Sequence, residues 1–357
     1  MHIVIDGRLI SCFHGVGKYT IALVTGIKKY SSHTVTILYN KDEQKILEIL
    51  DANWIKVKSS PFSLKEQFEI PKILKNLNYD LFHVPFFTAP FFVDKLVLTI
   101  HDLIPVKFVN EFGMLKYLYF RYYVKLLVNR AKKVLTDSLH SKQDIVEFFN
   151  IKESKVEAVY LYNIDIEQSE KSTILDITIP SPYFIYVGNK KGYKNFEIAL
   201  QSIQILNKKG KKAHLVLVGG FDQCDSEDVT VFSSITSQDL FYLYSNATAL
   251  IYPSLYEGFG LPILEAMEAG TPVIAANKSS IPEVVGDAGI LIEPTTEQFV
   301  DAMNLLLENI HLRKNLKEKG KEQLKLFTEE KFIRQTLEVY DNCKKTRGTS
   351  IESSNCS

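Results

Sequence analysis

YPSLYEGFGLPILEAMEAG, residues 252–270, reads as the end of a strand, a glycine loop and the start of a helix. The apolar run Thr248–Tyr252 predicts a buried strand, which Pro253 and Ser254 end. Glu257-Gly258-Phe259-Gly260 then forms a loop that opens a helix at Leu261 or Pro262. Glycines let backbone approach a ligand, and the free N–H groups of a helix start, with the helix dipole behind them, favour phosphate. Glu257 stands before that positive end and Glu265 is expected in the first turn. Carboxylates accept hydrogen bonds from sugar hydroxyls, so a sugar beside a phosphate suits the pair. A first-turn acid also complements a helix dipole without any ligand, and from position alone that second reading of Glu265 stands beside the first.

Glu257 and Glu265 are separated by seven residues within PSLYEGFGLPILEAMEAGTPVIAA. This stretch resembles the signature of the retaining GT-B glycosyltransferases of family 4, also called glycosyltransferase group 1. The resemblance implies an α/β fold of GT-B architecture, with two Rossmann-like doubly wound parallel-sheet domains facing a cleft. It implies that Glu257 contacts the transferred sugar, with Gly258 and Phe259 beside it, and that Glu265 holds the nucleotide ribose. The amides at Gly260 and Leu261 would take the donor diphosphate.

The bulk properties agree with such a chain. Its 357 residues suggest two domains with ample core. With 42 basic and 42 acidic residues the net charge is zero, which gives no overall pull toward nucleic acid. Cys12, Cys224, Cys343 and Cys356 are scattered with no CxxC pair, so neither a metal site nor a disulfide framework is expected. MHIVIDGRL begins as a strand rather than a basic-then-apolar leader, and no apolar run approaches ~18 residues. The expected location is cytoplasmic.

In the first half, His2–Asp6 predicts a buried strand, and Gly15-Val16-Gly17 a loop before a helical run, Tyr19–Tyr30. That loop is either a tight turn or a ligand-facing segment, and it lacks the full dinucleotide fingerprint. By resemblance it faces the donor phosphates or the acceptor, which makes Gly15 and Gly17 candidate diphosphate contacts. Strands are expected at Thr34–Tyr39, Asp80–Val84 and Leu96–Ile100, and helices at Lys41–Leu50 and Phe68–Asn76. The last of these strands ends in His101-Asp102-Leu103-Ile104-Pro105. Ligands sit beyond the carboxyl ends of parallel strands, so His101 and Asp102 are placed for chemistry. TIHDLIP also looks like the family segment whose histidine reaches the donor sugar, with Asp102 orienting its ring, lying against the sugar, or capping a turn.

Glu111–Val134 predicts one long helix of unusual composition. Between Phe112 and Thr136 there are six bases, Lys116, Arg121, Lys125, Arg130, Lys132 and Lys133, five aromatics and no acid. Segment 114–133 is suited either to internal packing, which aromatic stripes usually serve, or to a peripheral contact with an anionic inner membrane. Strands at Lys133–Thr136 and Lys155–Leu161 flank a helix that Ser138 or Ser141 caps. The polar stretch over 166–182 ends in two prolines and reads as a linker.

The second half restarts the pattern: a strand at Tyr183–Val187, the loop GNKKGYKN at Gly188–Asn195, and a helix at Phe196–Lys208. A lysine at such a helix start is a phosphate ligand. Lys194 matches the family's diphosphate lysine directly. Asn189 stands where the family usually has arginine, which leaves Lys190 to take that role. Further strands are expected at His214–Val218, Val229–Phe232, Ala247–Tyr252, Pro272–Ala276 and Gly289–Ile292. Helices are expected at Ser237–Tyr244, Glu297–Leu307, His311–Phe327 and Thr328–Cys343. The domains read as 1–165, with 331–345 crossing back to it, and 183–330; 346–357 is a tail.

The chemistry implied is transfer of a hexose with retention, best matched by mannose from GDP-mannose and otherwise by a UDP-hexose. The acceptor would be a saccharide or lipid-linked saccharide in surface polysaccharide, O-antigen or capsule biosynthesis. His101 and Glu257 would position the sugar, and the lysines would replace a metal, since the chain has no Asp-x-Asp. No cofactor beyond the donor is expected. A sugar-nucleotide 2-epimerase on the same architecture, a Rossmann-type dehydrogenase and a nonenzymatic sugar-binding protein are the competing readings. The missing dinucleotide fingerprint speaks against the dehydrogenase.

Overall fold

A computed structural model of the chain describes residues 1–10, 15–40, 50, 52–164, 178–221 and 226–345. It forms two compact units, Met1–Ile166 with Glu329–Ser357, and Glu167–Thr328. The expected helix at Lys41–Leu50 except its last residue, most of the 166–182 linker, the 346–357 tail and Cys12, Cys224 and Cys356 lie outside the described residues.

In the first unit the described strands are β1 (His2–Asp6), β2 (Thr34–Tyr39), β3 (Asn53–Lys56), β4 (Leu81–Val84), β5 (Leu96–Thr99), β6 (Lys133–Thr136) and β7 (Val156–Ala158). They form one parallel sheet in the order β3-β2-β1-β4-β5-β6-β7. In the second unit β8 (Tyr183–Asn189), β9 (His214–Gly220), β10 (Val229–Phe232), β11 (Ala249–Tyr252), β12 (Val273–Ala276) and β13 (Gly289–Ile292) form another, ordered β10-β9-β8-β11-β12-β13. Helices cover both faces of such a sheet, which is why runs such as LVLT, ALIY and VIAA are buried at every position. Each unit has its own apolar core. In both, sheet growth reverses beside the first strand, between β1 and β4 and between β8 and β11. Such a switch point leaves a crevice at the carboxyl ends of those strands.

The structure departs from the sequence-based expectations at identifiable places. β3 was not anticipated: it is a four-residue edge strand, NWIK, with no buried position to give it an apolar signature. The helix Ile281–Val285 is likewise too short to show a period. The expected single helix over Glu111–Val134 is broken at Gly113, passes through a π-helical turn at Phe120–Val124 and ends at Arg130. Gly15 and Gly17 are not in a loop: the helix Gly15–Tyr30 begins at Gly15, so both lie in its first turn. β8 and β9 run on to Asn189 and Gly220 because Gly188 and Asn189 pair with Gly219 and Gly220. Ser138, rather than Ser141, caps the Leu139–Phe149 helix, its Oγ accepting the Ser141 N–H at 3.0 Å.

The helix Glu329–Lys345 belongs to the first unit, where Phe332, Ile333, Val339 and Tyr340 are buried. It packs on the Gly15–Tyr30 helix where Gly26 lies against Ile333. A side chain at Gly26 would come within 2.2 Å of the Ile333 chain, so only glycine permits this approach.

Candidate active site

In the second unit the side chains gather at the switch point. Lys194 follows β8 in a short turn, Gly192–Lys194, before the Phe196–Lys208 helix, and Glu257 follows β11. The Lys194 Nζ donates to Glu257 Oε1 at 2.7 Å and to Oε2 at 2.9 Å. Both groups are largely buried, with side-chain exposures of 15% and 8%. The backbone holds the carboxylate from the β12 side: the Glu257 N–H donates to Ser279 Oγ at 2.9 Å. Ser280 Oγ donates to the Glu257 carbonyl at 2.9 Å and the Phe259 carbonyl at 3.1 Å. Gly260 turns the chain into the Leu261–Glu268 helix at φ +112°, a conformation that glycine adopts without strain. Gly258 and Phe259 lie within this loop, and Phe259 is buried against Phe327.

Two tyrosines line the carboxylates. Tyr252 is buried beneath Glu257, and burial first, then that charge, pushes its phenol well above the ordinary range. Tyr244 donates to Glu265 Oε2 at 3.1 Å, and burial followed by Glu265 raises it likewise. Glu265 lies one turn further into the helix than expected, since the first turn holds no acid; a side chain, rather than the dipole alone, meets its carboxylate. Lys190 is exposed on the loop after β8. The structure thus brings Lys194 and Glu257 into direct contact, sets Gly260 and Leu261 at the adjoining helix start, and leaves Lys190 at the surface.

In the first unit His101 follows β5 and its Nδ1 lies 2.8 Å from Asp137 Oδ2, just beyond β6. Thr99 and Leu135 are register partners, so His101 and Asp137 stand side by side two residues further on. Burial works against a charge on this ring, but Asp137 outweighs it, with smaller help from Asp102 and the Pro85 backbone, and the pKa is raised. His101 Nε2 makes no hydrogen bond among the described residues. Asp102 is not the group that orients the ring; its Oδ1 accepts the Ile104 N–H at 2.8 Å and caps the following turn. Tyr19 packs edge-on to His101 at 4.9 Å, and its hydroxyl lies 3.2 Å from Thr99 Oγ1. Thr99 in turn lies 2.8 Å from His83 Nε2, and His83 Nδ1 lies 2.5 Å from the Tyr340 hydroxyl. His83 is fully buried and its pKa is lowered to about 3, by burial and then by His101.

Sequence reasoning missed Asp137, Ser279 and Ser280. Asp137 carried a usable signal, an acid directly after a strand expected to neighbour the one that ends at His101. The serines open SSIPEVVGDAGILIEP, residues 279–294, whose resemblance to the family segment just after the donor site was the available signal.

Comparison with known proteins assigns the architecture. Residues 168–323 match the model of the family described as Glycosyl transferases group 1, and residues 13–161 that of Glycosyltransferase Family 4. O-antigen chain mannosyltransferase B of Escherichia coli is 28% identical over 73% of this chain and 74% of its own. O-antigen chain mannosyltransferase RfbU of Salmonella typhimurium is 28% identical over 56% of this chain and 57% of its own. The solved structure of Anabaena Alr3699/HepE, in complex with UDP and glucose, superposes with a TM-score of 0.68 over 95% of this chain and 99% of that one, at 16% identity. Two Rossmann-like units of this strand order have the GT-B fold. The chain belongs to the group 1, family 4 glycosyltransferases and resembles their mannosyltransferases.

Proposed function

We propose that the protein moves a hexose, mannose from GDP-mannose in the best-supported case, onto a saccharide or lipid-linked saccharide in surface polysaccharide biosynthesis. Both relatives named above carry O-antigen mannosyltransferase in their names. A UDP-hexose is the second reading of the donor, favoured by the UDP and glucose in HepE. The observation that carries the proposal is the buried Lys194 ammonium on Glu257, at the switch point and beside a helix start.

In this reading the donor diphosphate takes the Lys194 ammonium and the amides at Gly260 and Leu261, with Lys190, Gly15 and Gly17 as further diphosphate contacts. Glu265, held by Tyr244, accepts from the ribose hydroxyls. Glu257, Gly258, Phe259 and Asp102 face the sugar, and His101 presents Nε2 to it while Asp137 holds Nδ1. The bond from the anomeric carbon to phosphate breaks and its electron pair leaves on the diphosphate. The acceptor hydroxyl attacks from the same face, and its proton passes to the departing phosphate oxygen. Configuration is retained, and fixed cations and dipoles stabilise the leaving charge without a metal or other cofactor. Peripheral attachment at the cytoplasmic face of a membrane is part of the proposal. It is supported by the basic 114–133 segment, where Met114, Leu115, Leu118, Tyr122 and Leu126 are exposed.

A panel of sugar nucleotides tests this by protection against thermal unfolding. A true donor at about a hundred times its dissociation constant stabilises by ~2.7 kcal/mol. Protection by a nicotinamide cofactor with none from any GDP- or UDP-sugar would sink the reading. Conversion of the donor with no acceptor present would favour the 2-epimerase instead.

A further inference from the structure

Behind His101 the first unit buries a chain of polar side chains that the proposed transfer does not use directly. His83 on β4 pairs in register with Val97 on β5, and side chains two positions apart along a strand share a face. Ile100 extends the strand pairing by donating to the Leu135 carbonyl at 2.9 Å, so His83, Thr99 and His101 stand on one side of the sheet. The helices Gly15–Tyr30 and Glu329–Lys345 meet that side and supply Tyr19 and Tyr340.

The chain runs from the Tyr340 hydroxyl to His83 Nδ1, from His83 Nε2 to Thr99 Oγ1, and from there to the Tyr19 hydroxyl, over 2.5, 2.8 and 3.2 Å. Burial keeps His83 uncharged, and a neutral imidazole donates from one ring nitrogen and accepts at the other, which links the two hydroxyls on either side of it. All four residues are buried, so displacing Tyr19 would strand its hydroxyl inside the unit without a partner.

Tyr19 carries this rigidity to His101. Its ring stands edge-on to the imidazole, with centroids 4.9 Å apart and planes at 82°. The contact with Asp137 fixes one atom of the imidazole, Nδ1. The outer torsion of a histidine has broad wells, so a single hydrogen bond leaves the ring plane free to tilt. A perpendicular aromatic wall removes that freedom. Phe332, on the Glu329–Lys345 helix, packs edge-on to Tyr19 at 5.5 Å and backs the wall.

We propose that Tyr19 is a positioning residue for His101: it sets the tilt of the imidazole so that Nε2 meets the donor sugar, and the helix Glu329–Lys345 holds it there through Tyr340 and Phe332. The inference rests on the reading of His101 as a sugar contact. Tyr19 acts only through the imidazole.

The test compares Tyr19→Leu, which removes the ring, with Tyr19→Phe, which keeps it. Phe149→Leu is the control for loss of a buried ring; it stands at the last position of the Leu139–Phe149 helix, roughly 15 Å from the helix start. Initial rates below each variant's own unfolding midpoint give kcat and donor KM. Tyr19→Leu is expected to lower kcat about 10-fold with donor KM within about 2-fold, since a misplacement of about 1 Å costs up to ~100-fold in rate. Tyr19→Phe should restore most of the rate, and Phe149→Leu should keep kcat while lowering the midpoint. Where leucine fails to fold, Tyr19→Met repeats the loss of the ring with a chain that adapts to the gap. Nuclear magnetic resonance on isotope-labelled histidines gives a readout without substrate: His101 ring protons should show a cross-peak to Tyr19 and shift in Tyr19→Leu. Equal losses of kcat in Tyr19→Leu and Phe149→Leu, or no cross-peak in the unaltered chain, would overturn the positioning role. Failure of the reading of His101 looks different: His101→Ala then spares transfer while the cross-peak persists, which removes the positioning role along with that reading.

Discussion

The two units carry their polar sites at the same end of the same kind of sheet, yet the sites differ in the kind of charge they hold. In the second unit the pair is Lys194 and Glu257, an ammonium and a carboxylate locked together in a mostly buried contact. In the first the pair is His101 and Asp137, whose charge depends on a proton, backed by neutral hydroxyls and a histidine kept uncharged. The pair in the second unit suits holding an anion. The first suits a proton-sensitive contact with a neutral substrate. The lesson is that one strand order can present a fixed charge or a titrating one, depending on which side chains follow the strands.

Removing a partner of the fixed pair should have the largest effect. Glu257→Ala strands a buried ammonium, and breaking a buried pair costs about 3–5 kcal/mol. Urea unfolding measures this, and a nucleoside diphosphate should stabilise the variant more than the parent, because it supplies the lysine with a new anion. A cost below about 1 kcal/mol would mean that the contact is no stronger than a surface pair.

His101→Ala comes next and should separate the units. Transfer is expected to fall about 100-fold, equivalent to ~2.7 kcal/mol, with nucleotide affinity unchanged. Isothermal titration beside initial rates checks both halves, and a parallel loss of affinity would abolish the contrast drawn above.

Tyr244→Phe removes one hydrogen bond from Glu265 and should weaken nucleotide binding by ~1 kcal/mol, or roughly 5-fold. No change would show that Glu265 needs no help to meet the ribose.

The smallest effect is on stability against pH, and here the two histidines of the first unit have opposite signs. The raised pKa of His101 gives a contribution present below about pH 6.5 and lost as pH rises through its folded value. The lowered pKa of His83 gives one present above about pH 6.5 and lost as pH falls toward its folded value of about 3. Asp137→Asn should flatten the alkaline limb and leave the acid limb, as read from urea midpoints across the pH range. An unchanged alkaline limb would break the assignment of His101.

Much of the second unit was legible because its information is local. Glu257, Gly260 and the helix start all lie within one stretch of YPSLYEGFGLPILEAMEAG, and strand periodicity with glycine punctuation suffices to order them. Lys194 could be placed on its loop, but its direct pairing with Glu257, 63 residues away, could not. The first unit was less legible for the same reason. Asp137 lies 36 residues from His101 and takes the orienting place that its sequence neighbour Asp102 does not. The basic helix read as continuous because composition does not reveal a break at Gly113 or a π turn.

The amino-acid sequence by itself determined the alternation of strand and helix, the two-part organisation and the loop chemistry after β11, since each follows from periodicity and turn residues over short windows. Tertiary structure alone decided which charges meet: strand order and register set Lys194 on Glu257 and Asp137 on His101. Those contacts join residues tens of positions apart, and only the closing of a parallel sheet brings such positions within a hydrogen bond's length.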